Sequence, residues 1–335
     1  MATPAKINSL ALLGLKCGSN VFDLSSDMAN ISIRDQVVRA RLLVRDLANL
    51  PERPAKVLVV GAGFAGVSAA LACIEAGIGV TVVEANDEPF KLQLKRNERW
   101  VGPLIYEWPM HNSDDQTYPP SVVPPLPDTS LLGRIWGALK LGPEPMEAED
   151  LAKHATQTLR TEMRKRNFAI YVDVDPATVT TYVHAFHQET DPLKRKDLTL
   201  PAATLWPSGG PQGMTNIQRP DAIILGGGVG QEIVWLDKPP EDPSVNEARG
   251  APFWSVDGWL SAAVSADDEV GVFGGGDGAL QDALRALTGR VHPQRTLRDI
   301  RAASSQAEAA LLAAEPELLA VELESRLAAT WTPIW

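Results

Sequence analysis

Apolar residues recur at helical spacing near the start of the chain and form short continuous runs further on. The helical pattern over residues 33–50 predicts an amphipathic helix that Pro51 ends. Apolar runs at 56–60 and 80–83 predict two buried strands, and the Ala-rich stretch 67–76 between them predicts a helix. The sequence therefore predicts a strand–helix–strand unit of about thirty residues.

The rest of the chain shows the same alternation of elements, interrupted by a proline-rich excursion over 100–145. Helical patterns cover 147–166, 279–287 and, as an Ala/Leu-rich pair, 302–330. Apolar and β-branched runs predict strands at 169–173, 179–186, 198–205, 221–225 and 270–273, the first three separated by Asp-Pro turns. We expect an N-terminal extension 1–54, a nucleotide-binding domain 55–235, a second glycine-loop unit 236–300 and C-terminal helices 301–335.

The strongest chemical signal is the segment VLVVGAGFAG at residues 57–66. Gly61, Gly63 and Gly66 form a GxGxxG motif between a strand and a helix, and Glu84 ends the next strand. Gly61 allows the tight turn, Gly63 lets the backbone approach a diphosphate, and Gly66 lets helix and strand pack closely. Glu84 is placed to accept hydrogen bonds from a ribose hydroxyl and to repel a 2′-phosphate. This combination predicts a dinucleotide site; a glycine-rich packing turn is the alternative.

The segment VLVVGAGFAGVSAALACIEAGIGVTVVEAND resembles the FAD-binding start of the glutathione-reductase-like flavoprotein oxidoreductases. The resemblance implies an α/β fold, with a Rossmann-like FAD-binding domain of three-layer ββα/βαβ core, a β-meander insertion and a second, incomplete nucleotide-binding-like unit. It also implies that a strand such as DAIILGGG, from Asp221, returns to the cofactor. NAD alone in the first site remains an alternative. The cofactor contacts that it implies are Gly61, Ala62, Gly63, Phe64, Ala65, Gly66, Glu84, Ala85, Arg99, Gly226 and Gly227.

A second glycine loop, VGVFGGGDGAL from Val270, has two functional interpretations. Gly274, Gly276 and Ala279 fit the family's loop for NAD(P), although no apolar strand follows it. In the other interpretation the loop resembles the family's late flavin motif, in which Asp277 hydrogen-bonds the ribityl chain. A purely structural turn is the third alternative.

The chain ends earlier than the family's two-dinucleotide members would. The expectation is either an abbreviated protein or a site that another chain completes. The apolar C-terminal helices favour a homo- or hetero-oligomer; packing of this tail on its own domain is the alternative.

Arg99, Tyr106 and Trp108 form the candidate pocket in RWVGPLIYEW. Arg99 is suited to a bidentate contact with a phosphate or a substrate carboxylate, and the two aromatic side chains to walling a flat pocket. The alternative makes the aromatics core residues and Arg99 a surface cation. Trp254 and Trp259 are weaker candidates.

Composition removes several other classes of function. The 335 residues carry 31 basic and 42 acidic side chains, a net charge of −11, which disfavours nucleic acid and anionic membranes as partners. Two cysteines provide neither a disulfide framework nor a redox CxxC pair, and the five histidines lack metal-binding spacing. No apolar run is long enough to span a membrane, and the first eighteen residues form a poor signal peptide, so we expect a cytoplasmic protein.

These observations predict an FAD-dependent oxidoreductase that removes hydride from, or oxygenates, a small organic molecule such as an amine, an amino acid or a specialised metabolite. The electrons then pass to dioxygen, NAD(P) or another carrier. Two alternatives stay open: a subunit that holds FAD or NAD for a partner's active site, and an NAD(P)-dependent dehydrogenase without flavin.

Overall fold

The computed structural model describes these parts of the chain: residues 14–24, 33–96, 99–101, 139, 146–165, 168–209, 211–212, 214–228, 253–254, 270–272, 277–289, 296, 299–300, 302–307, 309–310, 313–314, 316–317 and 320. The chain divides into two compact units. The first consists of Met1–Tyr106 and Gln116–Trp254, and the second of Glu107–Asp115 and Ser255–Trp335. No helix among the described residues has the length and apolar character that crossing a membrane requires.

The first unit contains all the described strands. They are β1 (Lys16–Gly18), β2 (Val21–Asp23), β3 (Lys56–Val60), β4 (Gly79–Val83), β5 (Trp100–Val101), β6 (Met146–Glu147), β7 (Ala169–Val172), β8 (Leu198–Leu200), β9 (Ala203–Trp206), β10 (Pro211–Gln212), β11 (Thr215–Ile217) and β12 (Ala222–Leu225). Its helices are α1 (Ile33–Ala48), α2 (Phe64–Glu75), α3 (Ala148–Lys165) and α4 (Pro176–Gln188).

One eight-stranded sheet organises this unit, in the order β1-β2-β12-β3-β4-β7-β9-β10. The five strands from β2 to β7 run parallel, and antiparallel pairs lie at both edges. Two short antiparallel pairs, β8–β11 and β5–β6, complete the strand pairing that the structure describes. Because β3, α2 and β4 are consecutive and β3 pairs with β4 in parallel, the predicted strand–helix–strand unit is confirmed.

Side chains of the parallel strands alternate between two hydrophobic clusters, one on each face of the sheet. On β3, Val57 and Val59 join apolar residues of α1, α2 and α3, whereas Leu58 joins a smaller cluster with α4, β8 and β11. The result is a three-layer α/β arrangement with a parallel-rich central sheet, consistent with a Rossmann-like FAD-binding domain.

Residues of the predicted N-terminal extension contribute directly to this fold. Strand β2 pairs in parallel with β12, and α1 contributes its buried Val37, Leu43 and Leu47 to the larger cluster. The described part of 1–54 is therefore built into the sheet and the helical layer of the first unit. The boundaries at 235 and 300 stay predictions.

The strand predicted at 179–186 is wrong, because these residues lie within α4. Asp175 begins the helix by accepting hydrogen bonds from Ala177 N (3.2 Å) and Thr178 N (3.0 Å), and Pro176 occupies the first helical turn. The Asp-Pro pair is thus a helix N-cap followed by a favourable N1 proline rather than a turn between strands. The β-meander expected over 169–205 is therefore wrong. The segment consists of β7, α4, β8 and β9, and β8 and β9 belong to different sheets.

His184 and His187 lie three residues apart on α4, and both are exposed. The Nδ1 atom of His187 accepts a hydrogen bond from Ser19 N at 3.3 Å, which attaches the β1–β2 turn to α4.

The second unit contributes α5 (Asp277–Thr288), which confirms the helix predicted at 279–287. The strand predicted at 270–273 is not confirmed, because the described residues 270–272 are in neither helix nor strand. Most of the predicted C-terminal helical pair lies outside the described residues.

The two cysteines are both free, and they differ in accessibility. Cys17 is exposed, whereas Cys73 is fully buried and burial raises its pKa to about 12. Because the thiolate is the reactive form, we expect a thiol reagent at mildly alkaline pH to modify Cys17 alone in the native protein, with Cys73 reacting only after unfolding. Mass mapping of the modified peptides checks this; rapid modification of Cys73 in the native state would contradict its burial.

Candidate cofactor site

The carboxyl ends of the five parallel strands meet at one edge of the sheet. The residues at or just after these ends are Asp23 for β2, Gly226 for β12, Gly61 for β3, Glu84 for β4 and Asp173 for β7. In open α/β sheets, ligands bind in the crevice outside this edge. The sequence-predicted residues of the first glycine loop, of Glu84 and of DAIILGGG are therefore brought together.

Three glycines hold the first loop against α2 and β12. Gly61 has a φ of 97°, and a Cβ atom there would lie 2.4 Å from the carbonyl oxygen of Gly226. A Cβ on Gly66 would lie 1.9 Å from the carbonyl oxygen of Gly61, and one on Gly226 would lie 3.0 Å from Gly66 N. Only a residue without a side chain fits at Gly61 and at Gly66, whereas a Cβ on Gly226 would need the backbone of Gly66 to shift by a few tenths of an ångström.

Gly63 differs from these three glycines, because a Cβ atom there would meet nothing within 4 Å. Gly63 is also the N-cap of α2, and no side chain in the described part of the chain caps the helix. The first turn of α2 carries no acidic residue either. The positive end of a twelve-residue helix thus lies beside an open space that one methyl group would begin to fill, which fits the diphosphate of a dinucleotide.

The side chains of Phe64 and Ala65 do not line this space. Both residues are buried in the larger hydrophobic cluster, where the Phe64 ring lies 4.7 Å from the ring of Phe90. Phe90 N donates to the carbonyl oxygen of Ala62 at 3.0 Å, so the segment after β4 is hydrogen-bonded to the glycine loop. Phe90 has a positive φ of 58°, a strained conformation for an aromatic residue, and no sequence pattern indicated its role.

Glu84 accepts a hydrogen bond from the glycine loop, and it also lies at the position expected of a residue that binds the ribose. Its Oε2 accepts from Ala62 N at 2.6 Å, and its Oε1 accepts from Asn86 N at 2.9 Å and from Asn86 Nδ2 at 2.6 Å. The side chain is 8% exposed. Because each carboxylate oxygen has two lone pairs, these contacts leave one acceptor position on Oε2 for a hydroxyl group. Sequence reasoning missed Asn86, whose only signal was its position two residues after Glu84.

A cleft of about 400 Å³ opens next to Glu84, between the ends of β4 and β7 and the start of α4. It is lined by Ala85, Asp173, Val174, Asp175, Pro176, Thr178, Leu200, Pro201 and Ala202. The volume lies within the usual range for small-ligand sites. Hydrogen bonds from Thr178 and Ala177 lower the pKa of Asp175, so this carboxylate stays ionised at neutral pH. The acidic lining disfavours a 2′-phosphate in the cleft.

Arg99 is buried, with 2% of its surface exposed, so the interpretation of this residue as a surface cation is wrong. Its guanidinium lies over the ring of Phe253, 4.2 Å from the centroid, and its carbonyl oxygen accepts from Ala148 N at the start of α3. Nearby, Arg96 Nε donates to the carbonyl oxygen of Trp254. These contacts fix Arg99 beside α3, and its contact with a phosphate or a carboxylate stays a prediction.

Tyr106, Trp108, Trp259 and Gly276 lie outside the described residues, and Asp277 is described only as the first residue of α5 in the second unit. Gly227 is exposed, directly after the buried Gly226.

Replacing Glu84 with alanine is expected to weaken dinucleotide binding five- to a hundredfold. The reason is the loss of a charged hydrogen bond, worth about 1–3 kcal/mol, together with the loss of the acceptor that orients Ala62 N. Calorimetric titration with ADP measures the change. Asp191→Ala, which removes a half-buried carboxylate outside the cleft, is the control; equal ADP affinities for Glu84→Ala and wild type would show that Glu84 is misassigned.

In a comparison with protein families, residues 56–199 match the family model described as FAD dependent oxidoreductase. The matched segment begins at β3 and includes the glycine loop, Glu84 and the cleft beside β7, but it covers less than half of the chain. A search of curated proteins finds no significant match to this sequence. The narrower resemblance to the glutathione-reductase-like enzymes stays a prediction. The matched family is one of flavin-dependent enzymes, and over residues 56–199 this chain is similar to it.

Proposed function

We propose that this protein binds FAD along the carboxyl edge of its sheet and uses it to oxidise a small organic molecule. The single observation that carries the proposal is the uncapped N-terminus of α2 beside the open space at Gly63. Backbone N–H groups and the helix dipole at such a position favour a diphosphate.

Glu84 and the cleft beside Ala85 suggest how the cofactor lies along the carboxyl edge of the sheet. Glu84 lies on the β4 side of the glycine loop and offers its remaining acceptor position to an adenosine ribose hydroxyl. The cleft beyond Ala85 takes the adenine, whose flat apolar faces suit Val174, Pro176 and Leu200. The family match over the same segment supports FAD as the dinucleotide.

A bound flavin would supply the redox chemistry by accepting hydride from the substrate, and a second acceptor, such as dioxygen or another carrier, would take up the electrons. The protein's contribution is to hold and orient the cofactor. The uncapped end of α2 binds negative charge, the glycine contacts hold the loop close to the cofactor, and Glu84 fixes the loop and the ribose together. An amine, an amino acid or a specialised metabolite is the proposed class of substrate.

The identity of the ligand that co-purifies with the protein tests this function. We expect a yellow protein whose chromophore, released by heat and identified by mass spectrometry, is FAD. A colourless protein that binds NAD and not added FAD would overturn the proposal in favour of an NAD-dependent dehydrogenase. An FAD-loaded protein that oxidises no amine or amino acid, and whose flavin is reduced only after a partner chain is added, would favour a cofactor-holding subunit.

A further inference from the structure

Both backbone polar groups of Ala62, in the middle of the glycine loop, are held by residues at and after the end of β4. Ala62 N donates to Glu84 Oε2 at 2.6 Å, and the carbonyl oxygen of Ala62 accepts from Phe90 N at 3.0 Å. Glu84 therefore fixes the peptide group that precedes Ala62, and Phe90 fixes the peptide group that follows it.

The peptide group after Ala62 carries the N–H of Gly63, the N-cap of α2. In a planar trans peptide the N–H points opposite to the C=O, so the hydrogen bond from Phe90 to the Ala62 carbonyl directs Gly63 N–H away from Phe90. Among the described residues, none accepts a hydrogen bond from Gly63 N. This N–H group is therefore available to a ligand at the start of α2.

Phe90 donates its hydrogen bond from a strained backbone conformation. Its φ of 58° lies in the left-handed region, which bulky residues rarely adopt. Its side chain is almost completely buried, and its ring packs on the ring of Phe64, the first residue of α2. Backbone strain persists only where the surrounding structure holds it, and it is concentrated at ligand sites. The conformation of Phe90 therefore points to a role in the neighbouring loop.

Hydrogen bonds within the segment after β4 hold Phe90 in this conformation. The carbonyl oxygen of Phe90 accepts from Gln93 N at 3.0 Å, which closes a turn. At the start of the segment, Asn86 donates twice to Glu84 Oε1, and its carbonyl oxygen accepts from Asp173 N at 3.0 Å. The segment that carries Phe90 is thus attached to the ends of β4 and β7 by the protein's own contacts.

We infer that Phe90 is a positioning residue for the diphosphate, because its backbone N–H holds the Ala62 carbonyl and thereby directs Gly63 N–H at the phosphate oxygens. This inference rests on the proposed function. Phe90 acts through Ala62 and does not itself contact the cofactor. A loop that is fixed before the ligand arrives loses less conformational freedom on binding, so the hydrogen bond from Phe90 raises the affinity for the diphosphate.

Replacing Phe90 with phenyllactic acid tests this role, because the resulting ester removes the backbone N–H and keeps the ring. We expect the dissociation constant of ADP to rise about tenfold, whereas that of adenosine, which lacks the diphosphate, stays within about twofold of the wild-type value. The matched control is the corresponding ester at Gln93, which removes a hydrogen bond of the same turn and leaves Ala62 bound. Phe90→Leu, which keeps the N–H, should bind ADP within about threefold of wild type.

Hydrogen exchange in the wild-type protein provides a second measurement, which does not depend on the folding of a variant. We expect the amide of Phe90 to be protected from exchange before any nucleotide is added, because its hydrogen bond to Ala62 is present in the free protein. An amide that becomes protected only when ADP is bound would overturn the inference.

Three binding results would also overturn the inference and leave the proposed function intact. The first is an ADP affinity of the Phe90 ester equal to that of the Gln93 ester. The second is an equal loss of ADP and adenosine affinity, which would show that Phe90 stabilises the whole site. The third is a loss in Phe90→Leu as large as that in the Phe90 ester. A wild-type protein that binds ADP no more tightly than adenosine would overturn the proposed diphosphate site, and this inference with it.

Discussion

A Gly63→Ala variant is expected to fold normally and to lose most of its affinity for FAD. A Cβ atom at this position meets nothing within 4 Å, and the φ of −77° suits any residue. The apo protein should therefore be as stable as wild type, or slightly more stable, because alanine restricts the unfolded chain. In the complex the added methyl group occupies the space where the diphosphate approaches the backbone. We expect FAD and ADP affinities to fall ten- to a hundredfold, corresponding to about 1–3 kcal/mol of overpacking.

The matched control is Gly14→Ala, at another glycine with nothing within 4 Å of its Cβ position. Titration of both variants with ADP, together with urea unfolding of the apo proteins, provides the comparison. Unchanged ADP affinity in Gly63→Ala would mean that the diphosphate does not lie against this residue.

A Gly66→Ala variant is expected to be unstable before any cofactor is added. Glycine within a helix costs about 1 kcal/mol relative to alanine, so helix propensity alone predicts stabilisation. The contact at Gly66 outweighs this gain, because the new Cβ would lie 1.9 Å from the carbonyl oxygen of Gly61 and neither backbone segment can move freely. We expect the free energy of unfolding to fall by about 3 kcal/mol, the upper end for overpacking.

Urea unfolding of apo Gly66→Ala, followed by circular dichroism, measures this loss. A midpoint equal to that of wild type would show that helix α2 does not pack on the glycine loop as described. The pair of variants separates the two uses of glycine in one motif, since Gly66 is needed for packing and Gly63 for binding.

The sequence predicted the nucleotide-binding core well because local patterns determine it. The apolar run 56–60 matches β3 residue for residue, and the glycine motif gave the loop and its acidic partner Glu84. Helix α2 begins at Phe64 rather than at 67, because the glycine loop turns directly into the helix. A strand such as β3 can be predicted from its sequence because a strand that is buried on both faces of the sheet is continuously apolar.

Other features depend on contacts between distant segments. The β-branched residues of α4 predict a strand. The segment instead forms a helix, because Asp175 caps its N-terminus. Strand β2 is only three residues long, and its place beside β12 comes from hydrogen bonds across some two hundred residues of sequence. The hydrogen bond from Phe90 to the glycine loop and the packing of Arg99 over Phe253 also join segments that are distant in sequence.

A crystal structure of the protein with ADP would show where the dinucleotide binds. We expect the diphosphate at the N-terminus of α2 against Gly63, a ribose hydroxyl on Glu84 Oε2, and adenine in the cleft beside Ala85. A diphosphate bound elsewhere, with the space at Gly63 filled by the protein's own side chains, would show that the glycine loop is not a cofactor site.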